Sequence, residues 1–348
     1  MRRAEEGWTL HFVYAIPRSS AGLMAKVERL QPWYRYGWIR GETNPLPAPG
    51  SITVNLYRYF RRRVRTLLYD WRERGEIKCG VNDTILGHPH PNPDTIMHKA
   101  VVGGRKCRSV ALILPLHYGI PCINEYVQPL LERVDRMFAI MGPYWLDGLN
   151  GSPFAKWGSK ITSVDMAVDA TQYPLVKRHF NAPGQRGFLY IGSNRPEKGC
   201  DVLSKTMARL TEFPRGWVGS GADIPYVPRI AGRTRLTPRY MTELAKTYDV
   251  FVNTSLSDAN PTTILEAMAW GFPVACTPES GYYNMKSVTK LDTTDIGANV
   301  RALRELQYAP EGDLVELSRA NRRLVERRYT WDRFCATVWQ TLEADAGR

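Results

Sequence analysis

Apolar positions along this chain come in short uninterrupted runs, separated by stretches whose apolar residues recur at helical spacing. The run Trp8-Thr9-Leu10-His11-Phe12-Val13-Tyr14-Ala15-Ile16-Pro17 reads as a buried first strand, followed by a small-residue turn and a helical pattern over 23–30. Residues 41–50 are rich in Pro and Gly and predict a loop. Further strands are predicted at 52–56, 84–86, 110–114 and 137–140. Between the first and second of these, 57–71 reads as a basic amphipathic helix. Tyr57, Phe60, Val64, Leu67, Leu68 and Trp71 form one face of it, and Arg58, Arg61, Arg62, Arg63, Arg65 and Arg72 the rest.

The pattern breaks at Pro183-Gly184-Gln185-Arg186-Gly187 and restarts with the strand Phe188-Leu189-Tyr190-Ile191-Gly192. Strands and helices alternate on both sides of that break. This predicts an α/β protein with two doubly wound, Rossmann-like domains and a ligand cleft between them. The expected units are 1–185, 186–330 and a terminal helix over 331–348.

Length and composition agree with two domains: 348 residues, 43% hydrophobic, can bury two ordinary cores. The longest clean apolar run, near residues 110–116, is too short to span a bilayer, and the first residues predict no signal peptide. Six scattered cysteines without a C-x-x-C pair argue against a zinc site and for reduced thiols in a cytoplasmic setting.

Net charge is +13, and it is uneven. Residues 1–185 hold 25 Lys and Arg against 15 Asp and Glu, an excess of 10; the remaining residues hold 22 against 19, an excess of 3. A basic first half fits a polyanionic partner, either nucleic acid or an anionic membrane surface touched peripherally.

The most informative stretch is Asp258-Ala259-Asn260-Pro261-Thr262-Thr263-Ile264-Leu265-Glu266. It lies between the apolar run Asp249-Val250-Phe251-Val252-Asn253-Thr254 and the run Phe272-Pro273-Val274-Ala275-Cys276. The order predicts strand, loop, helix, strand, with the helix start at the carboxyl end of a strand where such folds bind ligand. Asn260 is the expected N-cap and Pro261 the expected first helical residue. A helix start offers free N–H groups and a positive dipole end to an anion, and two carboxylates suit sugar hydroxyls.

This segment, with Glu266-Ala267-Met268-Ala269-Trp270-Gly271-Phe272-Pro273-Val274, resembles the retaining glycosyltransferases of the glycogen-synthase-like family 4 (glycosyl transferases group 1), which have the GT-B fold. The resemblance covers about residues 188–340. It implies transfer of a sugar from a nucleotide-sugar, most simply a UDP-sugar, to an acceptor hydroxyl, with no metal ion required. Carried over residue by residue, it implies that Glu266 holds the ribose hydroxyls and that Asp258 contacts the donor sugar. Asn260, Thr262 and Thr263 would meet the diphosphate or sugar. Asp in place of the usual Glu at 258, and Asn260-Pro261 in place of an aromatic-Gly pair, are departures from the pattern.

Ile191-Gly192-Ser193-Asn194-Arg195-Pro196-Glu197-Lys198-Gly199 resembles the family's diphosphate loop. Lys198 takes the place of its Lys; Arg195 stands two positions after the usual Arg, which is replaced by Ser193. Gly219 and Gly221, in Trp217-Val218-Gly219-Ser220-Gly221, resemble the family's Gly-x-Gly strand end. In the first half, His117 fits the position of the active-site His, and His88 and His90 that of a His pair at the acceptor side.

For the acceptor, Arg61, Arg62, Arg63 and Arg65 favour DNA, glycosylated at a hydroxymethylated base flipped out of the stack. The alternative is a lipid-linked or cell-surface glycan at an anionic membrane. A GT-B nucleotide-sugar epimerase and a non-catalytic nucleic-acid-binding module are the other classes the residues admit.

Overall fold

The computed structural model describes residues 8–16, 50–90, 92–103, 106–119, 121–282 and 285–346. The helix expected over 23–30, the turn before it, and nearly all of the loop over 41–50 lie outside the described residues.

The first sheet consists of β1 (Thr9–Tyr14), β2 (Arg65–Asp70), β3 (Thr84–Gly87), β4 (Ser109–Pro115), β5 (Arg136–Ile140) and β6 (Ile161–Val164), in the order β2-β1-β3-β4-β5-β6. The second consists of β7 (Gly187–Ile191), β8 (Arg215–Val218), β9 (Arg229–Ala231), β10 (Tyr248–Asn253), β11 (Val274–Cys276) and β12 (Val288–Lys290), in the order β12-β11-β10-β7-β8-β9. Every pairing is parallel. Such sheets are covered on both faces, and their strands are nearly continuous apolar runs, as Leu10, Phe12, Val13 and Tyr14 in β1 or Val250, Phe251 and Val252 in β10 show. The chain crosses from one sheet to the other between Val164 and Gly187. Two Rossmann-like domains joined in this way are the GT-B fold.

Two predicted elements differ from the structure. Residues 52–56 are not a strand but the middle of helix α1 (Gly50–Phe60), which buries Thr53, Leu56, Tyr57 and Phe60 at helical spacing. The amphipathic helix over 57–71 does not exist. Its first residues close α1, where Val64 N–H donates to the Phe60 carbonyl, residues 61–63 form a turn, and Arg65–Asp70 is β2. The same apolar positions serve both periods: Val64, Thr66 and Leu68 are buried by strand alternation as readily as by a helical stripe. Ladder bonds to β1, in the register Thr9↔Arg65 to Tyr14↔Asp70, favour the strand. Strand β6 was not foreseen from the sequence.

The helices that bear on the site are α2 (Ile96–Val102), α3 (Pro121–Leu131), α4 (Pro143–Asp147), α5 (Cys200–Met207), α6 (Pro238–Thr247), α7 (Thr262–Trp270), α8 (Ile296–Tyr308), α9 (Glu311–Arg327) and α10 (Trp331–Ala346). Helix α10 returns to the first domain. Its Asp345 takes a bidentate pair from Arg136 at 2.9 and 2.7 Å, and Trp339 stacks on Trp8. The two crossings are tied together, Arg328 Nε to Asp165 Oδ2 at 2.9 Å and Val168 N to the Tyr329 carbonyl at 3.0 Å.

Candidate active site

Because both sheets are parallel, the loops leaving their carboxyl ends form two rims, and the hydrogen bonds across the interface show that the rims face one another. After β7 the chain runs through residues 192–198 to Gly199, whose left-handed backbone (φ 62°) starts α5. A Cβ there would lie 1.9 Å from the Thr254 carbonyl oxygen, so only glycine lets this loop lie against the end of β10. The carbonyl of Glu197 accepts from the N–H groups of Leu256 and Ser257 at 2.9 and 3.2 Å. This brings Lys198 to Asp258, where Nζ and Oδ2 form an ion pair with both side chains partly exposed.

His117, two residues past β4, enters from the other domain, its Nδ1 2.7 Å from the Ser257 hydroxyl oxygen. Burial pushes its pKa below the ordinary histidine value; Asp258 opposes the shift, Lys198 adds to it and Glu197 opposes it. The imidazole is therefore neutral at neutral pH. His117, Lys198 and Asp258, all expected from the sequence, are thus brought together.

Helix α7 begins one residue later than expected. Pro261 is its N-cap, with no side-chain cap bond, and Thr262 its first helical residue. Asn260 does not cap the helix: its Oδ1 accepts from the Met166 N–H at 2.6 Å, in the first domain's chain just past β6. That bond takes the oxygen a cap would need. Thr262 and Thr263 stand half-buried in the first turn. Glu266 lies a turn further along, half-buried, where the Tyr173 hydroxyl donates to it at 3.4 Å. Burial pushes the Glu266 carboxyl up to about 7, against the hydrogen bond from Tyr173.

The glycines after β8 have local partners. A Cβ on Gly219 would lie 1.7 Å from the Gly192 carbonyl oxygen, and the Gly221 carbonyl accepts from Arg229 at 2.6 Å. They seat the loop after β8 against the loop after β7, where Asn194 N–H also donates to the Ser220 carbonyl. Arg195 points outward, its side chain 71% exposed and 3.9 Å from Glu197.

The residues expected on the acceptor side are dispersed. Arg61, Arg62, Arg63 and Arg65 are exposed at the amino end of β2, a strand's length (roughly 17 Å) from the rim that carries His117. Arg63 lies over the Tyr59 ring. His88 packs edge-on to Trp71 and Tyr14, ring centroids 4.8 and 5.3 Å away, and burial lowers its pKa to about 4. His90 Nδ1 accepts from the Asn92 N–H at 3.1 Å. Among the described residues, no three His, Cys, Asp or Glu side chains are grouped to hold a metal ion, and no helix is long and apolar enough to cross a membrane.

Residues 185–306 match the family described as Glycosyl transferases group 1. The matched stretch runs from the start of β7 into α8, most of the second domain. No curated protein matches the chain. Sucrose-phosphate synthase from Thermosynechococcus elongatus aligns over 97% of this chain and 98% of its own, at 13% identity and a TM-score of 0.62. An α,α-trehalose-phosphate synthase (UDP-forming) from Burkholderia xenovorans aligns over 96% and 100%, at 12% and 0.58. HepE from Anabaena, solved with UDP-glucose, aligns over 97% and 99%, at 10% and 0.57. These likenesses extend the GT-B fold to both sheets, that of the first domain included.

Three residues at the site escape sequence reading. Trp145 donates its indole N–H to the Asp258 carbonyl at 2.8 Å, Ser257 meets His117, and Tyr173 meets Glu266. For Trp145 a signal existed, since Gly142-Pro143 directly after β5 marks a loop at the ligand-facing edge. Tyr173 lies in the irregular crossing segment, where no period announces it.

Proposed function

We propose that the protein is a retaining glycosyltransferase that uses a nucleotide-sugar and needs no metal ion. The observation that carries this reading is the Lys198–Asp258 pair at the start of α7, facing His117 of the other domain. A diphosphate entering there exchanges the Asp258 carboxylate for its own charge on Lys198 and meets the N–H groups of Thr262 and Thr263 at the start of α7. Asp258 is then free to accept from the hydroxyls of the donor sugar, and Glu266 from the ribose. The acceptor oxygen attacks the anomeric carbon on the face the diphosphate leaves. The carbon–oxygen bond to the phosphate breaks, and the acceptor proton passes to the departing phosphate oxygen, whose charge Lys198 offsets.

A UDP-sugar is the donor to try first, because the structurally similar HepE was solved with UDP-glucose. For the acceptor, the charge of +13 and the exposed Arg61, Arg62, Arg63 and Arg65 favour DNA bearing a hydroxymethylated base. Those arginines lie off the cleft, at the amino end of β2, and would grip phosphates further along the DNA than the reacting nucleotide. Incubation of UDP-sugars with and without hydroxymethylated DNA tests both parts. UDP release that requires the DNA supports the full reading. Release only with glycolipid vesicles replaces the acceptor, and no release with any acceptor removes the transferase assignment.

A further inference from the structure

The loop that carries Asp258 is shared between the domains in an orderly way. Its N–H groups go to the second domain: Leu256 and Ser257 donate to the Glu197 carbonyl, and Asp258 to the Glu279 carbonyl at 3.0 Å. Its next acceptors go to the first domain. The Asp258 carbonyl accepts from Trp145 Nε1 at 2.8 Å, the Ala259 carbonyl from Gly142 N–H at 2.9 Å, and Asn260 Oδ1 from Met166 N–H at 2.6 Å. With His117 on Ser257, four consecutive residues are each held from the other side of the cleft.

The holding side is rigid. Trp145 is 4% exposed, edge-on to Tyr118 and Tyr144 with ring centroids 4.9 and 5.0 Å away, and its carbonyl accepts from the Tyr118 hydroxyl at 2.7 Å. Gly142 approaches so closely that a Cβ on it would lie 1.9 Å from the Gly281 carbonyl oxygen. Two packed rings and a backbone-to-backbone approach leave the indole N–H one place to point.

Taking Asp258 as the donor-sugar ligand of the proposed transfer, we infer that Trp145 is a positioning residue for it. The acceptor-side domain thereby sets the peptide plane following Asp258, and with it the direction of the carboxylate. Parting the domains at this edge removes all four of these holds and leaves the loop with its bonds to the Glu197 and Glu279 carbonyls and to Lys198. The direction of the Asp258 carboxylate therefore depends on the Trp145 contact from the other domain.

Trp145→Phe in the full chain keeps an aromatic ring between Tyr118 and Tyr144 and removes the indole N–H together with part of the ring volume. With UDP-glucose as probe, the expected result is a fall in kcat of about tenfold, as for one lost hydrogen bond at the reacting end, with KM and UDP affinity within about twofold. A second readout needs no turnover. Asp258 raises the His117 pKa while Lys198 lowers it and Glu197 raises it, so a displaced Asp258 moves the His117 Cε1–H titration to lower pH. The Trp145 ring also lies 6.1 Å from the His117 ring, so a merely structural tryptophan would lower the melting temperature and UDP affinity and, by unburying the imidazole, leave that titration in place or move it to higher pH; either would overturn the inference, as would an unchanged kcat. If the wild type releases no UDP, the transferase reading fails, and the His117 titration alone decides the role of Trp145. Should Trp145→Phe not fold, Tyr118→Phe frees the Trp145 carbonyl and is expected to move both readouts in the same direction by a smaller amount.

Discussion

Lys198 and Asp258 stand sixty positions apart in sequence and meet as an ion pair at the mouth of the cleft, with side chains 25% and 16% exposed. Neither partner is sealed from water, so the pair holds little stability and both groups are available to a ligand. Lys198→Ala is expected to lower kcat for sugar transfer by about 10²–10³, the usual cost of losing a donor to a charged leaving group. Unfolding should be nearly unaffected. Steady-state kinetics beside a thermal melt check both halves of this expectation.

Glu266 gives the site a pH dependence with a defined sign. Burial raises its carboxyl to about 7, so below that pH the group is protonated and accepts poorly from ribose hydroxyls. Donor KM should fall as pH rises from about 6 to about 8, by about tenfold for a simple titration. The stability effect runs the other way. Between the unfolded value near 4.5 and about 7 the folded state holds a proton that the unfolded state has lost, so stability declines across that window and is level above it. Glu266→Gln should abolish both slopes. Donor KM and melting temperature, each measured from about pH 5 to about pH 8, read them.

The second domain is pinned by a buried pair away from the cleft. Lys177 Nζ lies 2.7 Å from Asp249 Oδ1, both essentially unexposed, and Asp249 also accepts from the N–H groups of Asn181 and Gly187 at 2.8 and 3.0 Å. Removing one partner strands the other charge. Asp249→Ala should destabilise the protein by about 3–5 kcal/mol, measured by denaturant unfolding.

The exposed turn at Arg61, Arg62 and Arg63 with Arg65 makes a separable prediction. Replacing all four with Gln should weaken DNA binding evenly across sequences. The slope of log affinity against log salt should shrink by up to about 3.6, roughly 0.9 for each phosphate that is no longer neutralised. UDP binding should stay the same. Filter binding across a salt series, beside UDP titration, measures both.

Much of the second domain was legible because its signals are local. The run into β10, the glycine ending α7 and the strand Val274–Cys276 each announce themselves, and the spacing from Asp258 to Glu266 places two acids around one helix start. The first domain was less legible where one set of apolar residues served two periods, as at residues 57–71, and only pairing with β1 decided it. Asn260 looked like a cap because local chemistry favours Asn there, yet its oxygen is claimed by Met166 from ninety-four positions away. Trp145 and Tyr173 owe their roles to the docking of the two domains, a relationship that no local pattern encodes.

The central claim is that a nucleotide diphosphate takes the place of Asp258 on Lys198. Calorimetric titration of UDP into the wild type, Lys198→Ala and Asp258→Asn tests it most directly. Lys198→Ala should bind UDP at least about tenfold more weakly, whereas Asp258→Asn, which frees the lysine, should bind it as tightly as the wild type or tighter while losing sugar transfer. Equal affinity in all three, or a loss in Asp258→Asn as large as that in Lys198→Ala, would contradict the account.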